Sequence, residues 1–186
     1  MRRIHLAALG VLLLPLAPSP EPPHHPPGFV SFRVRHFGFS WVVGTFDEWA
    51  ANIEYNAEQP ELGSVTAWIH AKSIGTGHAV RDADLREHYL AADEHPGIVF
   101  TSTRVERAGL ERLRVTGDLT IGEITRPVVL DTEVRDVVRP EGQGKAFTAT
   151  TTIYRQDFGI IQNNLFEWLD LVGDEVEITI EAQAGS

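Results

Sequence analysis

The chain has 186 residues, enough for one domain of ordinary size and cramped for two. Its 16 basic and 26 acidic residues give a net charge of −10, which repels phosphate backbones and excludes non-specific nucleic-acid binding. With 0 cysteines it can hold no disulfide, zinc–thiolate or iron–sulfur site, no thiol nucleophile and no lipid-modified N-terminal cysteine, and no apolar run reaches the roughly 18 residues of a bilayer-spanning helix.

Arg2 and Arg3 precede the apolar run from Leu6 to Leu14. A basic start followed by a short apolar stretch is the pattern of a secretory signal peptide and predicts export. Ala17 and Ser19 are the candidate cleavage positions, but Pro15, Pro18 and Pro20 crowd both, so an uncleaved tether is the alternative. The segment Pro18–Gly28 reads PSPEPPHHPPG, an extended linker with no means of burying a core. His24 and His25 read as a solvated pair within it. Residues 1–28 are expected to be signal peptide and proline-rich linker, and residues 29–186 the folded domain.

From Phe29 onward the dominant period is two. Val30, Phe32 and Val34 alternate with Ser31, Arg33 and Arg35. The pattern returns with Val65, Ala67 and Ile69, with Leu113 to Ile121, with Phe147, Ala149, Thr151 and Ile153, and with Val176, Ile178 and Ile180. One apolar and one polar face is the signature of half-buried antiparallel strands. Gln59–Gly63, Glu106–Gly109 and Arg139–Gly142 read as turns. One helix is predicted from Ala79 to Leu90, with Pro96 preventing any continuation. A second short helical or irregular stretch is expected from Asn163 to Leu169. No internal repeat is visible.

These elements define an all-β chain with one short helix inserted. It can manage its sheet edges by stacking two sheets or by closing into a barrel. About eight strands closed into a barrel leave room for one small ligand. Phe32, Phe37, Phe39, Trp41, Phe46 and Trp49 crowd one stretch, and Phe158, Phe166 and Trp168 form a later group. They suit either a packed core or a lined apolar cavity, and composition does not choose.

The chemistry-bearing motifs are sparse. There is no Gly-x-Ser-x-Gly elbow, no His-Glu-x-x-His helix and no phosphate-cradling loop, and Gly142–Lys145 reads as a hairpin turn. Carboxylate pairs mean little on so acidic a chain. The reading is therefore non-enzymatic, with no catalytic residue, no metal and no cofactor. His36 falls in phase with Phe32 and Val34, so it points inward, either as a hydrogen-bonded buried histidine or as a contact for a ligand headgroup at a cavity mouth. Arg81 with Asp82, and Arg155 with Asp157, read as ion pairs or loop anchors. His78, His88 and His95 lack the spacing of a metal site.

Taken in order, the motifs resemble a known family. They are Phe32–Ser40, Gly44-Thr45-Phe46, Ser73–Gly77, Arg81–Arg86, His95–Ser102, Val115–Ile121, Arg126-Pro127-Val128, Arg155–Ile160 and Val172–Val176. No single piece is specific, but the ordered set is similar to the YceI-like, polyisoprenoid-binding proteins over about residues 29–184. The resemblance implies a lipocalin-like antiparallel β-barrel that holds a long-chain isoprenoid, such as a polyprenyl or quinone tail, in an apolar pore. It also implies a periplasmic or secreted carrier with no established enzymatic activity. Strand phase and aromatic size then select the candidate ligand-binding residues. They are Phe32, Val34, His36, Phe37, Phe39, Trp41, Phe46 and Trp49, then Leu90 and Phe100, and finally Phe158, Ile160, Phe166 and Trp168.

Two departures from the family pattern carry expectations of their own. The family's first strand begins earlier, where this chain has Pro26-Pro27-Gly28-Phe29, which predicts a short first strand and a looser barrel mouth. The usual basic-Gly pair after Leu119-Thr120-Ile121 is here Gly122-Glu123, which predicts a changed turn geometry. A transient contact with a membrane or membrane protein and a homodimer stay open, while the acidic surface argues against tight docking on anionic headgroups. A scaffold or stress-response barrel with a filled core, and an enzyme acting on an apolar substrate, are the competing functions.

Overall fold

A chain that is apolar on every second residue can bury only one face of each strand, so its strands must share an interior. The computed structural model describes residues 27–139, 142–161 and 172–185. The signal peptide, most of the linker, the Asn163–Leu169 stretch and the candidates Phe166 and Trp168 lie outside the described residues. The described residues form ten strands: β1 Gly28–His36, β2 Ser40–Phe46, β3 Trp49–Glu54, β4 Ser64–His70, β5 Ile74–Gly75, β6 Gly97–Arg107, β7 Arg112–Ile121, β8 Ile124–Arg139, β9 Gly142–Tyr154 and β10 Val172–Gly185. They make one antiparallel sheet in the order β3-β4-β6-β7-β8-β9-β10-β1-β2-β5.

The two ends of that order meet. β2 and β3 are one run of chain bent at Asp47–Glu48, and β4 and β5 are joined through the 3-10 turn Ala71–Ser73. Their arms pair on both sides of the bend: Phe46 lies opposite Ile74, and Trp49 to Glu54 lie opposite Ile69 to Ser64. Across the corner the Asp47 amide donates to Ser73 O (3.3 Å) and the His70 amide to Glu48 O (2.8 Å). The expected barrel of about eight strands is thus present as eight staves, counted as ten strands because two staves bend.

Inward positions follow the alternation. Leu113, Val115, Leu119 and Ile121 of β7 are buried while Arg112, Arg114 and Asp118 face out. Phe147, Ala149 and Ile153 do the same on β9. Two inner-wall glycines let aromatic rings lie flat against the sheet. A Cβ on Gly44 would stand 2.4 Å from the Phe32 ring, and one on Gly117 would stand 2.5 Å from the Phe100 ring.

The first strand corrects its expectation. β1 pairs with β10 from its first residue, Gly28 opposite Ala182, and the Gln183 amide donates to Pro27 O (3.1 Å). Gly28 makes this possible, because its φ is +148° and a Cβ there would lie 1.8 Å from Glu181 O. The variant Gly28→Ala should lose at least about 1 kcal/mol of stability, read as a lower urea midpoint at unchanged slope. The β7–β8 turn closes between Ile121 and Ile124 with the positive φ, 60°, at Gly122 and not at Glu123. One glycine at the first central position is what a type II′ hairpin turn requires.

The predicted helix forms as α1 Ala79–Asp84, continued by a π-helical turn Leu85–Tyr89. Its first free amides are met partly by His78, whose Nδ1 accepts from the Arg81 amide (3.4 Å). Ala91, at φ 44°, breaks it ahead of Pro96. The antiparallel register gives the barrel two distinct ends. One, here the upper end, carries the β1–β2 turn, the Gly122–Glu123 turn, the Arg155–Ile161 stretch and α1. The lower end carries Gly28, the β3–β4 loop and the β6–β7 turn.

Candidate functional site: an apolar barrel cavity

The interior is not filled. A cavity of about 780 Å³ runs inside the barrel, within the roughly 300–1,000 Å³ typical of small-molecule sites. Its wall is made by the inward residues of nearly every stave, among them Ala67, Ile69, Val115, Leu130, Ala149, Ile178 and Ile180. The two ends differ in degree. At the lower end Val105, Leu113, Phe147 and Ala182 are buried, Pro60 is fully enclosed, and the Tyr55 ring meets Phe147 edge-on at 5.4 Å, while Ile53, Ser64 and Val65 line the cavity partly exposed. At the upper end Phe32, Val34, His36, Leu85, Leu90, Ile160, Val172 and Val176 line the same space and stay partly exposed. The partly exposed lining is most extensive at the upper end, beside α1. β1 is paired from Gly28 at the proline-rich end, so no loosening of that strand is found there.

Polar lining concentrates at that upper rim: His36, His78, Arg81, Asp84, Glu87, His88, Tyr89 and Arg155. The predicted anchors are found here. Asp82 accepts from the Thr76 hydroxyl and from the Thr76 amide (2.9 Å), while Arg81 Nε donates to Thr76 Oγ1 (2.8 Å) and its Nη2 to Thr76 O (3.1 Å). Arg86 donates to Ile74 O (2.7 Å) and Lys72 O (2.8 Å). Together these contacts fix the helix to the β5 arm. The Thr76 hydroxyl bond, helped by the Thr76 amide and by Arg86 and Arg81, holds the Asp82 carboxyl below its ordinary 3.8 against the opposing effect of burial. A lowered folded pKa means the ionised form stabilises the fold, with the full contribution present above about 3.8 and lost as pH falls from there through the lowered value. Asp82→Asn should cost about 1–3 kcal/mol at neutral pH and flatten this acid limb of the stability profile, measured by urea unfolding across pH.

Arg155 is the second anchor. It is buried, and among the described residues its guanidinium donates to three backbone carbonyls: Nε to Gly173 (3.0 Å), Nη1 to Ile160 (2.7 Å) and Nη2 to Val172 (3.0 Å). It ties the stretch after β9 to the start of β10. Asp157 gives it no carboxylate; the Asp157 carbonyl accepts from Arg126 instead (3.3 Å). No three His, Asp or Glu side chains gather as a metal set among the described residues. His88 pairs with Asp84 at 3.0 Å.

Eight of the candidate ligand-binding residues line the cavity: Phe32, Val34, His36, Phe46, Trp49, Leu90, Phe100 and Ile160. The His36 ring packs edge-on to Phe37, with centroids 4.1 Å apart, and takes no hydrogen bond among the described residues, so it is not the hydrogen-bonded buried histidine that was one alternative. Four candidates stand elsewhere. Phe37 and Phe39 belong to the three-residue β1–β2 turn, where φ is 55° at Phe37 and 74° at Gly38, and they project outward. That turn makes Ser40 the partner of His36, so Val42, Gly44 and Phe46 face in and Trp41 faces out, under Arg33 and Arg35. Phe158 is buried in the core but turns toward the outer β8–β9–β10 side, away from the cavity. Selection by aromatic size also missed small and aliphatic lining residues. Ala67, Ile69, Ala149, Val176 and Ile178 were all legible from strand phase.

A closed antiparallel barrel around an apolar cavity is a lipocalin-like barrel, the architecture that holds one small apolar ligand. The chain belongs to the YceI-like domain family, which it matches over residues 26–184. It is 34% identical over 158 residues to a UPF0312 protein of Pectobacterium carotovorum, covering 83% of this chain and 79% of that one. Among solved structures it resembles BcnA of Burkholderia cenocepacia, with a TM-score of 0.77 at 24% identity over 84% of this chain and 96% of that one. It shares the fold of a polyisoprenoid binding domain from Saccharophagus degradans, with a TM-score of 0.66 at 14% identity over 84% and 92% of the two chains.

Proposed function

We propose that this chain binds the tail of a long-chain isoprenoid lipid, of polyprenyl or quinone type, and carries it through the periplasm or the secreted space without altering it chemically. The observation that carries this reading is the unfilled apolar cavity of about 780 Å³. A barrel serving only as scaffold has no use for an unfilled apolar interior, since empty space forfeits packing energy. An isoprenoid tail gains about 0.8 kcal/mol for each methylene-sized unit taken out of water, so burial alone gives tight binding without convergent polar groups. The polar rim leaves room for a headgroup near His36. The fold shared with the Saccharophagus polyisoprenoid binding domain supports the ligand class, and the basic-then-apolar leader supports export.

The test is organic extraction and mass spectrometry of whatever co-purifies with the full chain from a bacterium that makes quinones. About one polyprenyl or quinone molecule per chain is expected. A protein that emerges empty and also refuses added isoprenoids overturns the reading.

A further inference from the structure

The large apolar side chains left exposed are unequally arranged. At the lower end Leu62 of the β3–β4 loop, Leu110 of the β6–β7 turn and Val138 near the end of β8 stand singly, as isolated surface residues do in any protein. At the upper end they converge. Phe39, 82% exposed, and Phe37, 44% exposed, occupy one tight turn that directly follows His36, a rim residue of the cavity. Val80 of α1 lies on the same rim and is 76% exposed. Ile161 is 53% exposed and follows Ile160, whose carbonyl Arg155 clasps together with that of Val172, the β10 residue opposite His36.

Just behind the turn the chemistry changes. Trp41 lies on the outer wall, about 7 Å along the strand from Phe39. The Arg33 guanidinium sits 4.6 Å and that of Arg35 4.5 Å from the centroid of its ring. Arg33 is paired with Glu177, but among the described residues no carboxylate takes Arg35. In a chain of net charge −10 this is a cation left available, stacked on an indole one step behind an apolar tip.

We propose that the β1–β2 turn is a membrane-docking tip: Phe37 and Phe39, with Val80 and Ile161 at the same end of the barrel, enter the interfacial layer of a phospholipid bilayer, while Trp41 rests at headgroup level and Arg35 meets a lipid phosphate. The order of apolar tip, then indole and guanidinium, then polar barrel wall matches the change of medium across a bilayer interface. The occupant is a lipid surface and not a second copy, because the tip adjoins the rim of the cavity at His36. A second copy seated there would cap the rim, whereas a bilayer would bring it against a source of apolar ligand. In this sense the proposal rests on the lipid-binding reading. The acidic remainder of the chain keeps the contact weak and reversible, with phosphatidylcholine a better surface than an anionic one.

The chain has 0 cysteines, so single labels are clean. The full chain carrying Phe39→Cys or, at the lower end, Leu110→Cys is labelled with a polarity-sensitive fluorophore and titrated with phosphatidylcholine vesicles free of isoprenoid. Emission from position 39 is expected to rise severalfold and shift to the blue, while position 110 stays unchanged. Adding Phe37→Ser to an otherwise unlabelled comparison and replacing Phe39 by Ser should lower vesicle affinity about tenfold. No change at position 39 overturns the proposal. Equal changes at both positions overturn it too, because the leader or non-specific adsorption then does the binding. A change at position 39 that depends on protein concentration and needs no vesicles assigns the tip to a second copy. Because the vesicles hold no isoprenoid, these outcomes are independent of whether the purified chain carries one.

Discussion

Ile178→Trp is expected to empty the barrel without unfolding it. Ile178 lies mid-strand in β10, opposite Phe32 of β1 and Thr151 of β9, and its side chain points into the cavity while remaining half-buried. The added indole volume therefore enters open space and not a packed core, so it escapes the usual 1–3 kcal/mol or so of overpacking strain. It would occupy the room of about three methylene units of ligand. At about 0.8 kcal/mol each that removes roughly 2–3 kcal/mol of binding, or about a hundredfold in affinity. The measurement is a titration with a short-chain quinone beside a thermal melt. A folded variant that still binds with unchanged affinity would place the ligand outside the cavity. Phe100→Asp should also abolish binding, but Phe100 is buried against Gly117, so its carboxylate would damage the fold and blur the result.

The fold was legible because its signal is repeated. Each strand states its phase several times over, as Leu113 to Ile121 do, and a register slip would turn every one of those side chains outward. The helix at Ala79 was legible from the pattern Ala79 to Leu90 and from Pro96, which prevents any continuation. The cavity was only half legible. Phase identifies which residues face inward but not whether the inward space is filled, since that depends on the summed volume of eight staves. Phe37, Phe39 and Trp41 show where phase fails. A three-residue turn resets the alternation, and from composition alone Phe37-Gly38-Phe39 reads as a continuation of strand. Phe158 fails for another reason, because it follows β9 in a 3-10 turn whose period is not two. The start of β1 was misread because proline suggested a frayed strand, while the deciding residue was Gly28, whose positive φ admits the chain to the sheet at once.

Arg155→Ala is expected to be the most destabilising single substitution at the rim, by about 3–5 kcal/mol in urea unfolding. A buried guanidinium is costly to bring out of water, and it persists here because its planar fork reaches three carbonyls in different directions at 2.7–3.0 Å. Ile160 belongs to the stretch leaving β9, while Val172 and Gly173 open β10. One side chain thus joins the stretch after β9 to the start of β10. Removing it leaves those carbonyls short of donors and frees the start of β10, which pairs with His36 at the mouth. Arg155→Lys should recover only a minor part, because a single ammonium cannot span the three acceptors. The loss should be larger than that of Asp82→Asn, since Asp82 anchors only the helix, whereas Arg155 holds a stave of the barrel. Ligand retention should fall along with stability, because the same clasp sets the position of Val172 and Ile160 on the cavity wall. If Arg155→Ala costs less than about 1 kcal/mol, the rim is held by other contacts, and the mouth would then be looser than this hydrogen-bond geometry implies.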